Sequence, residues 1–137
     1  MFFNKKKKLE NNSDFVKIGA LFIHAAKIDE NFSEKEEEII KKALIQIGAK
    51  ETVIEKIIID AKEIEANSNQ ILEFTKEVKT MKENEKIAII ETLWRIIFSD
   101  KDADIYETNL MRRLSGLLYI DNKTMGNIKN KIKKEFS

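Results

Sequence analysis

Apolar residues recur every three or four positions along almost the whole chain, and no window alternates apolar and polar as a strand would. The pattern predicts seven helices. The first is expected to start at Asn12–Ser13, a good capping pair, and to run to about Ile28, with Phe15, Ile18, Phe22, Ala25 and Ala26 facing inward. Ser33 with Glu36 three residues on forms a capping box, so a second helix begins there and carries Ile39, Ile40, Ala43, Leu44 and Ile47. Gly48 is placed to end it in the left-handed C′ position. A third helix, 52–65, uses Val53, Ile54, Ile57, Ile58 and Ala61, and the polar run Asn67-Ser68-Asn69 breaks it from a fourth, 70–80. A fifth, 84–99, follows Ile87, Ile90, Leu93, Trp94 and Ile97. A sixth, from Asp104, follows Leu110, Met111, Leu114, Leu117 and Leu118, and a seventh, from Asn122, follows Met125, Ile128 and Ile132 before fraying.

Composition sharpens this reading by exclusion. The 137 residues include no proline and 4 glycines, with 36% charged and 42% hydrophobic positions, which fits a helical protein and not a many-turned β structure. Connections are short throughout, so 13–137 is expected to be a single compact domain behind a flexible basic segment, 1–12, that holds Lys5–Lys8. With no cysteine and 1 histidine, disulfides, thiolate sites, cysteine nucleophiles and multi-imidazole zinc sites are excluded. The 25 basic and 24 acidic residues leave a net charge of +1 and no global field to steer nucleic acid. No apolar run is long enough to span a membrane. Met1–Phe3 precede their lysines, the reverse of a secretory signal, so a cytoplasmic location is expected.

The chain also repeats itself. Shifted by 71 residues, Asp29 falls on Asp100, Asn31 on Asp102, Ser33 on Asp104 and Glu36 on Glu107. The register persists through Ile39/Leu110, Ile40/Met111, Lys41/Arg112, Lys42/Arg113 and Ile47/Leu118. Each unit reads as a helix, a short acidic loop and a second helix.

The direction of the acids matters more than their number. The stripe 15–18–22–25 continues through Asp29, and 90–93–97 continues through Asp100, because residues three or four apart share a helix face. Glu36 likewise leads 39/40–43–47, and Glu107 leads 110–114–117/118. If the two halves pack together, four core-facing carboxylates converge. Like charges at close range inside a protein need protons, separate hydrogen bonds or a cation. An all-oxygen set with Asn31 and Asp102 beside it suits Ca²⁺, Mg²⁺ or Mn²⁺ better than Zn²⁺. It is not an EF-hand: Asp100-x-Asp102-x-Asp104 begins like one, but the glycine is missing and Met111 stands at position twelve.

These paired acidic loops, with Leu93-Trp94-Arg95 before the second and Leu110-Met111-Arg112-Arg113 after it, resemble the tellurite-resistance TerB-like family over roughly residues 14–130. The resemblance implies a compact helical fold of two similar halves and a metal site at the loops. By position it gives Asp29, Glu36, Asp100 and Glu107 as first candidates and Asn31 and Asp102 as secondary ones. The glycine usual after each aspartate is replaced by Glu30 and Lys101, which removes the backbone freedom of that position and sets a competing cation beside Asp100.

Simpler structural roles compete for the same residues. Ser33/Glu36 and Asp104/Glu107 have the makings of helix caps, with Ser33 and Asp104 as cap residues. His24, whose counterpart in the repeat is Arg95, reads as a polar flank, and Trp94 with Phe98 reads as core. Lys5–Lys8 and Lys129–Lys134 read as solvated tails, without the interleaved aromatics of a nucleic-acid surface. The resulting expectation is a non-catalytic domain whose partners are other proteins and which holds a divalent cation, in a stress-associated setting that the resemblance alone implies. The alternative is a protein-interaction module in which the acidic loops are only caps. An enzyme ranks last, because no nucleophile–base pair or phosphate loop accompanies the carboxylates.

Overall fold

The computed structural model describes residues 12–27, 32–68, 71–99 and 105–136, the side chains of 105–108 excepted. Among these residues the chain folds into seven α-helices and no strand: α1 (Asn12–Ala26), α2 (Glu34–Gln46), α3 (Ile54–Ala66), α4 (Leu72–Lys79), α5 (Glu83–Ser99), α6 (Ile105–Leu117) and α7 (Asn122–Glu135). This is the all-α bundle that the spacing predicts. The inward stripes hold as well, with Ile40 and Leu44 of α2, Ile57 and Ala61 of α3, Leu93 and Ile97 of α5, Leu114 of α6 and Leu118 just beyond its end, and Ile132 of α7 all buried. The third helix starts later than expected. Neither Lys50 nor Val53 supplies a side-chain cap, and Glu51–Val53 forms a 3-10 turn before α3 begins. None of the described helices is long and apolar enough to cross a membrane.

α1 is more deeply enclosed than one inward stripe would make it. Besides the predicted positions, Val16, Ala20, Leu21 and Ile23 are buried, and the helix packs against α2, α3, α4 and α5. A helix apolar on nearly every side has to be covered on nearly every side. Its tightest neighbour is α3. A Cβ on Gly19 would lie 3.2 Å from the Cβ of Ala61 and 3.5 Å from a methyl of Leu44, so these small residues set the approach of the two helices.

α7 differs from the frayed, solvated tail read from its lysines. It runs to Glu135 and lies along α5. Met125, Ile128 and Ile132 face inward, and two ion pairs flank them. The Arg95 guanidinium donates two bonds of 3.0 Å to the Glu135 carboxylate, and the Lys131 ammonium lies 2.6 Å from Glu91. An apolar stripe with charged partners on both edges docks a lysine-rich helix that composition alone marks as free.

Two helices end in the same device. At the end of α2 the Ala49 N–H donates to the Leu44 carbonyl (2.9 Å) and the Gly48 N–H to that of Ile45 (3.0 Å). At the end of α6 the Ile120 N–H donates to Ser115 (2.9 Å) and the Tyr119 N–H to Gly116 (3.4 Å). Both are Schellman caps, which need a C′ residue with positive φ and commonly bury the next one. Gly48 meets that need at φ 125°, as its sequence position predicts, whereas the other cap places Tyr119 at φ 58°. Tyr119 is 68% exposed and lies under the Lys79 ammonium, 4.9 Å from the ring centroid.

The two caps should respond oppositely to substitution. Tyr119→Gly relieves a left-handed side chain at the cost of a more flexible unfolded chain, and should raise stability by about 0.5–1 kcal/mol. Gly48→Ala forces a side chain into a conformation it resists and should lower stability by about 1–2 kcal/mol. Urea denaturation of both variants checks this. A fall in stability for Tyr119→Gly would mean that the Lys79 contact outweighs the strain.

Candidate functional site

Of the six residues proposed as ligands from sequence, Glu36 is the one whose side chain is described. It lies at the start of α2 with 4% of its surface exposed, leading the buried Ile40 and Leu44 down the same face. Ser33, in extended conformation at φ −88° and ψ 163°, caps the helix: its Oγ accepts from the Glu36 N–H at 3.1 Å. Glu36 reciprocates, its Oε1 accepting from the Ser33 N–H at 2.8 Å and from the Ser33 hydroxyl at 3.0 Å. The capping box predicted for this loop is therefore present, and the acid faces inward as its stripe requires. The second carboxylate oxygen of Glu36 takes no part in the cap, and it is not among the buried side-chain atoms of the described residues that lack a hydrogen-bond partner.

The remaining candidates divide into two groups. Glu107 belongs to the first turn of α6, with its side chain outside the described set. Asp29, Asn31, Asp100 and Asp102 lie outside the described residues, as does the proposed cap Asp104. Among the described residues no three acidic or imidazole side chains are grouped so as to hold a metal ion.

Outward from Glu36, the next turn of α2 is tied to α3. The Lys62 ammonium lies 2.7 Å from Glu37 and 5.6 Å from the centroid of the Phe32 ring, so one lysine holds both the loop and the helix start. Lys41 pairs with Glu37 (3.3 Å) and with Glu55 (2.8 Å). The hydrogen bond from Lys62, joined by Lys41, holds the Glu37 carboxyl below the ordinary glutamate range. The Glu55 carboxylate, with Glu37, holds the Lys41 ammonium above the ordinary lysine value. In the run Glu36-Glu37-Glu38, the first acid is buried, the second is bridged to α3 and the third is largely exposed.

A further buried acid escaped the sequence reading. Glu65 of α3 is 9% exposed and joins two residues at the end of the first helix: Lys27 at 2.8 Å, and the Nδ1 of His24 at 3.3 Å. His24 is thus one partner in an interhelical bridge. The signal was available, since 58–61–65 is the same three-and-four spacing that placed Asp29 on the first stripe.

A family model described as "Tellurite resistance protein TerB" matches residues 16–130, a span that includes both acidic loops. Comparison with curated proteins and with solved structures finds no match.

Two outcomes follow from this geometry. Ser33→Ala removes the hydroxyl of the capping box and should destabilise the protein by about 1 kcal/mol, read by chemical denaturation. The second concerns acid. Glu37 and Glu135 both have carboxyls held down in the native state, by Lys62 and by Arg95 respectively. A carboxyl lowered on folding stabilises the native state above the unfolded value, here 4.5, and that contribution is lost as pH falls below it. The melting-temperature gap between the parent and the Glu37→Gln/Glu135→Gln variant should therefore be largest near neutrality and narrow as the pH falls below the ordinary glutamate value. Thermal melts across that range test it.

Proposed function

Since the chain belongs to the tellurite-resistance TerB family, we propose that it works as a non-catalytic helical domain in a stress-associated assembly of cytoplasmic proteins, and that it holds a divalent cation at its paired acidic loops. Asp29, Glu36, Asp100 and Glu107 are the proposed ligands, with Asn31 and Asp102 beside them. The observation that carries the reading is Glu36: a carboxylate buried at a helix start with one oxygen taken up by its cap. The cap does not engage the other oxygen, which leaves it available to a hard cation. The donor set is all oxygen, which fits Ca²⁺, Mg²⁺ or Mn²⁺. When bound, the ion supplies charge neutralisation and a tie between helix pairs, and no bond-breaking chemistry.

The reading includes a duplicated architecture, which the matching Schellman caps support. Gly48 and Tyr119, the two C′ residues, stand at the same 71-residue spacing as the acidic loops. The bridges His24–Glu65 and Arg95–Glu135 also link helices one and three of each half. Against the cation stands one specific observation. The capping box already gives Glu36 a complete structural role, which favours an interaction module whose acidic loops only start helices.

Metal titration separates the two readings. Ca²⁺, Mg²⁺ or Mn²⁺ at 100 times its dissociation constant should stabilise the fold by about 2.7 kcal/mol, by mass action on the native state. The double variant Asp29→Asn/Asp100→Asn should melt at the parent's metal-free temperature and gain nothing on metal addition. If no divalent ion moves the parent's melting temperature and EDTA leaves it unchanged, the interaction-module reading stands and the cation is dropped.

A further inference from the structure

One turn of α3 reaches both flanks of the first acidic loop. Lys27 precedes the segment 28–31, which carries Asp29 and Asn31, and Phe32 follows it. On the upstream side the Glu65 carboxylate takes the Lys27 ammonium at 2.8 Å and the Nδ1 of His24 at 3.3 Å. On the downstream side the Lys62 ammonium lies 5.6 Å from the Phe32 ring centroid and 2.7 Å from Glu37. Lys62 and Glu65 are three residues apart on α3, so both side chains leave one face of one helix.

Stability does not account for this arrangement. Glu65 is 9% exposed and stands in the last turn of α3, where burial and the helix dipole both disfavour a carboxylate. Replacing a buried ion pair with apolar residues of similar size commonly leaves stability unchanged or raises it. Lys27 and Lys62 are each nearly half exposed, and such pairs contribute little energy. What the contacts supply is position: the end of the first helix and the start of the second are referred to the same turn of the third.

The same bundle contains an apolar version of the upstream contact. At the 71-residue spacing, Lys27 and Glu65 fall on Phe98 and Phe136, whose ring centroids lie 6.3 Å apart. His24 falls on Arg95, which pairs with the neighbouring Glu135. A pair of rings thus occupies the corresponding place, and holding two helices there does not require a buried acid.

We propose that Lys62 and Glu65 are positioning residues. Together they hold both flanks of the first acidic loop against α3, and through that hold they set the affinity of the loop for its cation. The affinity clause rests on the cation reading above, whereas the hold does not. Neither side chain ligates the ion; each acts through the placement of Asp29 and Asn31. A loop tied at both ends has less freedom to lose when its oxygens close on an ion, so it binds more tightly.

Glu65→Gln/Lys62→Met removes one charge of each sign, so the net charge stays the same and long-range attraction of a cation is not altered. In the metal-free full chain, this variant should speed amide exchange in 28–32 several-fold, with 100–104 and the centre of α3 exchanging as in the parent. Titrated with Mn²⁺ and followed by the loss of the free-ion paramagnetic resonance signal, it should bind about tenfold more weakly than the parent. Lys62→Arg, which keeps the charge and the ring contact, should retain the parent's affinity. Unchanged exchange in 28–32 overturns the hold, and so does a rise spread equally over 100–104 and α3, which marks general destabilisation. Equal Mn²⁺ affinity in a parent that binds and in the double variant overturns the affinity clause. A parent that binds none of Mn²⁺, Mg²⁺ or Ca²⁺ overturns the cation reading and the affinity clause with it, and the exchange result still decides the hold.

Discussion

Covering α1 is the demand around which this fold is arranged. The helix buries Phe15, Ile18, Leu21, Phe22 and Ile23 on several sides, and no single neighbour can shield it, so α2, α3, α4 and α5 all pack against it. The register of that packing is set at its few polar positions. Lys17 reaches Glu77 on α4 at 3.1 Å, while His24 and Lys27 reach Glu65 on α3. These pairs are partly exposed and individually contribute little. Their importance is geometric: Lys17 fixes α4, and His24 with Lys27 fixes α3, against the central helix at different heights. Gly19 and Ala61 then decide how closely α1 and α3 can approach.

What could be read from the sequence was mostly local. The stripes of α2, α3, α5, α6 and α7, the capping box at Ser33–Glu36 and the C′ role of Gly48 depend on spacing or on one residue's backbone preference. What escaped depends on contacts between helices. The enclosure of α1 was hidden because one stripe explained its pattern adequately, although few polar residues interrupt it. The docking of α7 was hidden because its lysines suggest solvent, and only the placement of Glu91 and Arg95 on α5 makes them partners. Tyr119 could not have been found from residue type, since the left-handed position it occupies ordinarily selects glycine or asparagine. Of the candidate ligands, the inward direction of Glu36 was legible, since it follows from its stripe; Asp29, Asn31, Asp100 and Asp102 lie outside the described residues.

The position of Glu36 couples any function of the loop to the stability of α2. One carboxylate oxygen receives both the backbone N–H and the hydroxyl of Ser33, so the residue cannot turn toward a ligand without opening the helix start. Lys62 holds the next acid and the preceding aromatic ring, which stiffens the same turn from outside. A ligand on the remaining oxygen would therefore meet a preorganised acid and pay little to order it. The cost is that a substitution at Glu36 disturbs the cap and the site together, so Asp29 and Asp100 are the informative positions for separating them.

The net charge of +1 describes this protein poorly at the scale on which ligands act. Acids crowd the start of α2, where Glu34, Glu36, Glu37 and Glu38 fall within five residues, while α7 carries Lys123, Lys129, Lys131, Lys133 and Lys134. Near-neutrality removes long-range steering, but fields within a Debye length, about 8 Å at physiological salt, are set by the nearest few groups. A cation and an anion can thus each find a fitting local environment on a chain whose total charge attracts neither. The acidic start of α2 and the lysine-rich α7 are chemically opposite surfaces on one bundle, and the total charge describes neither.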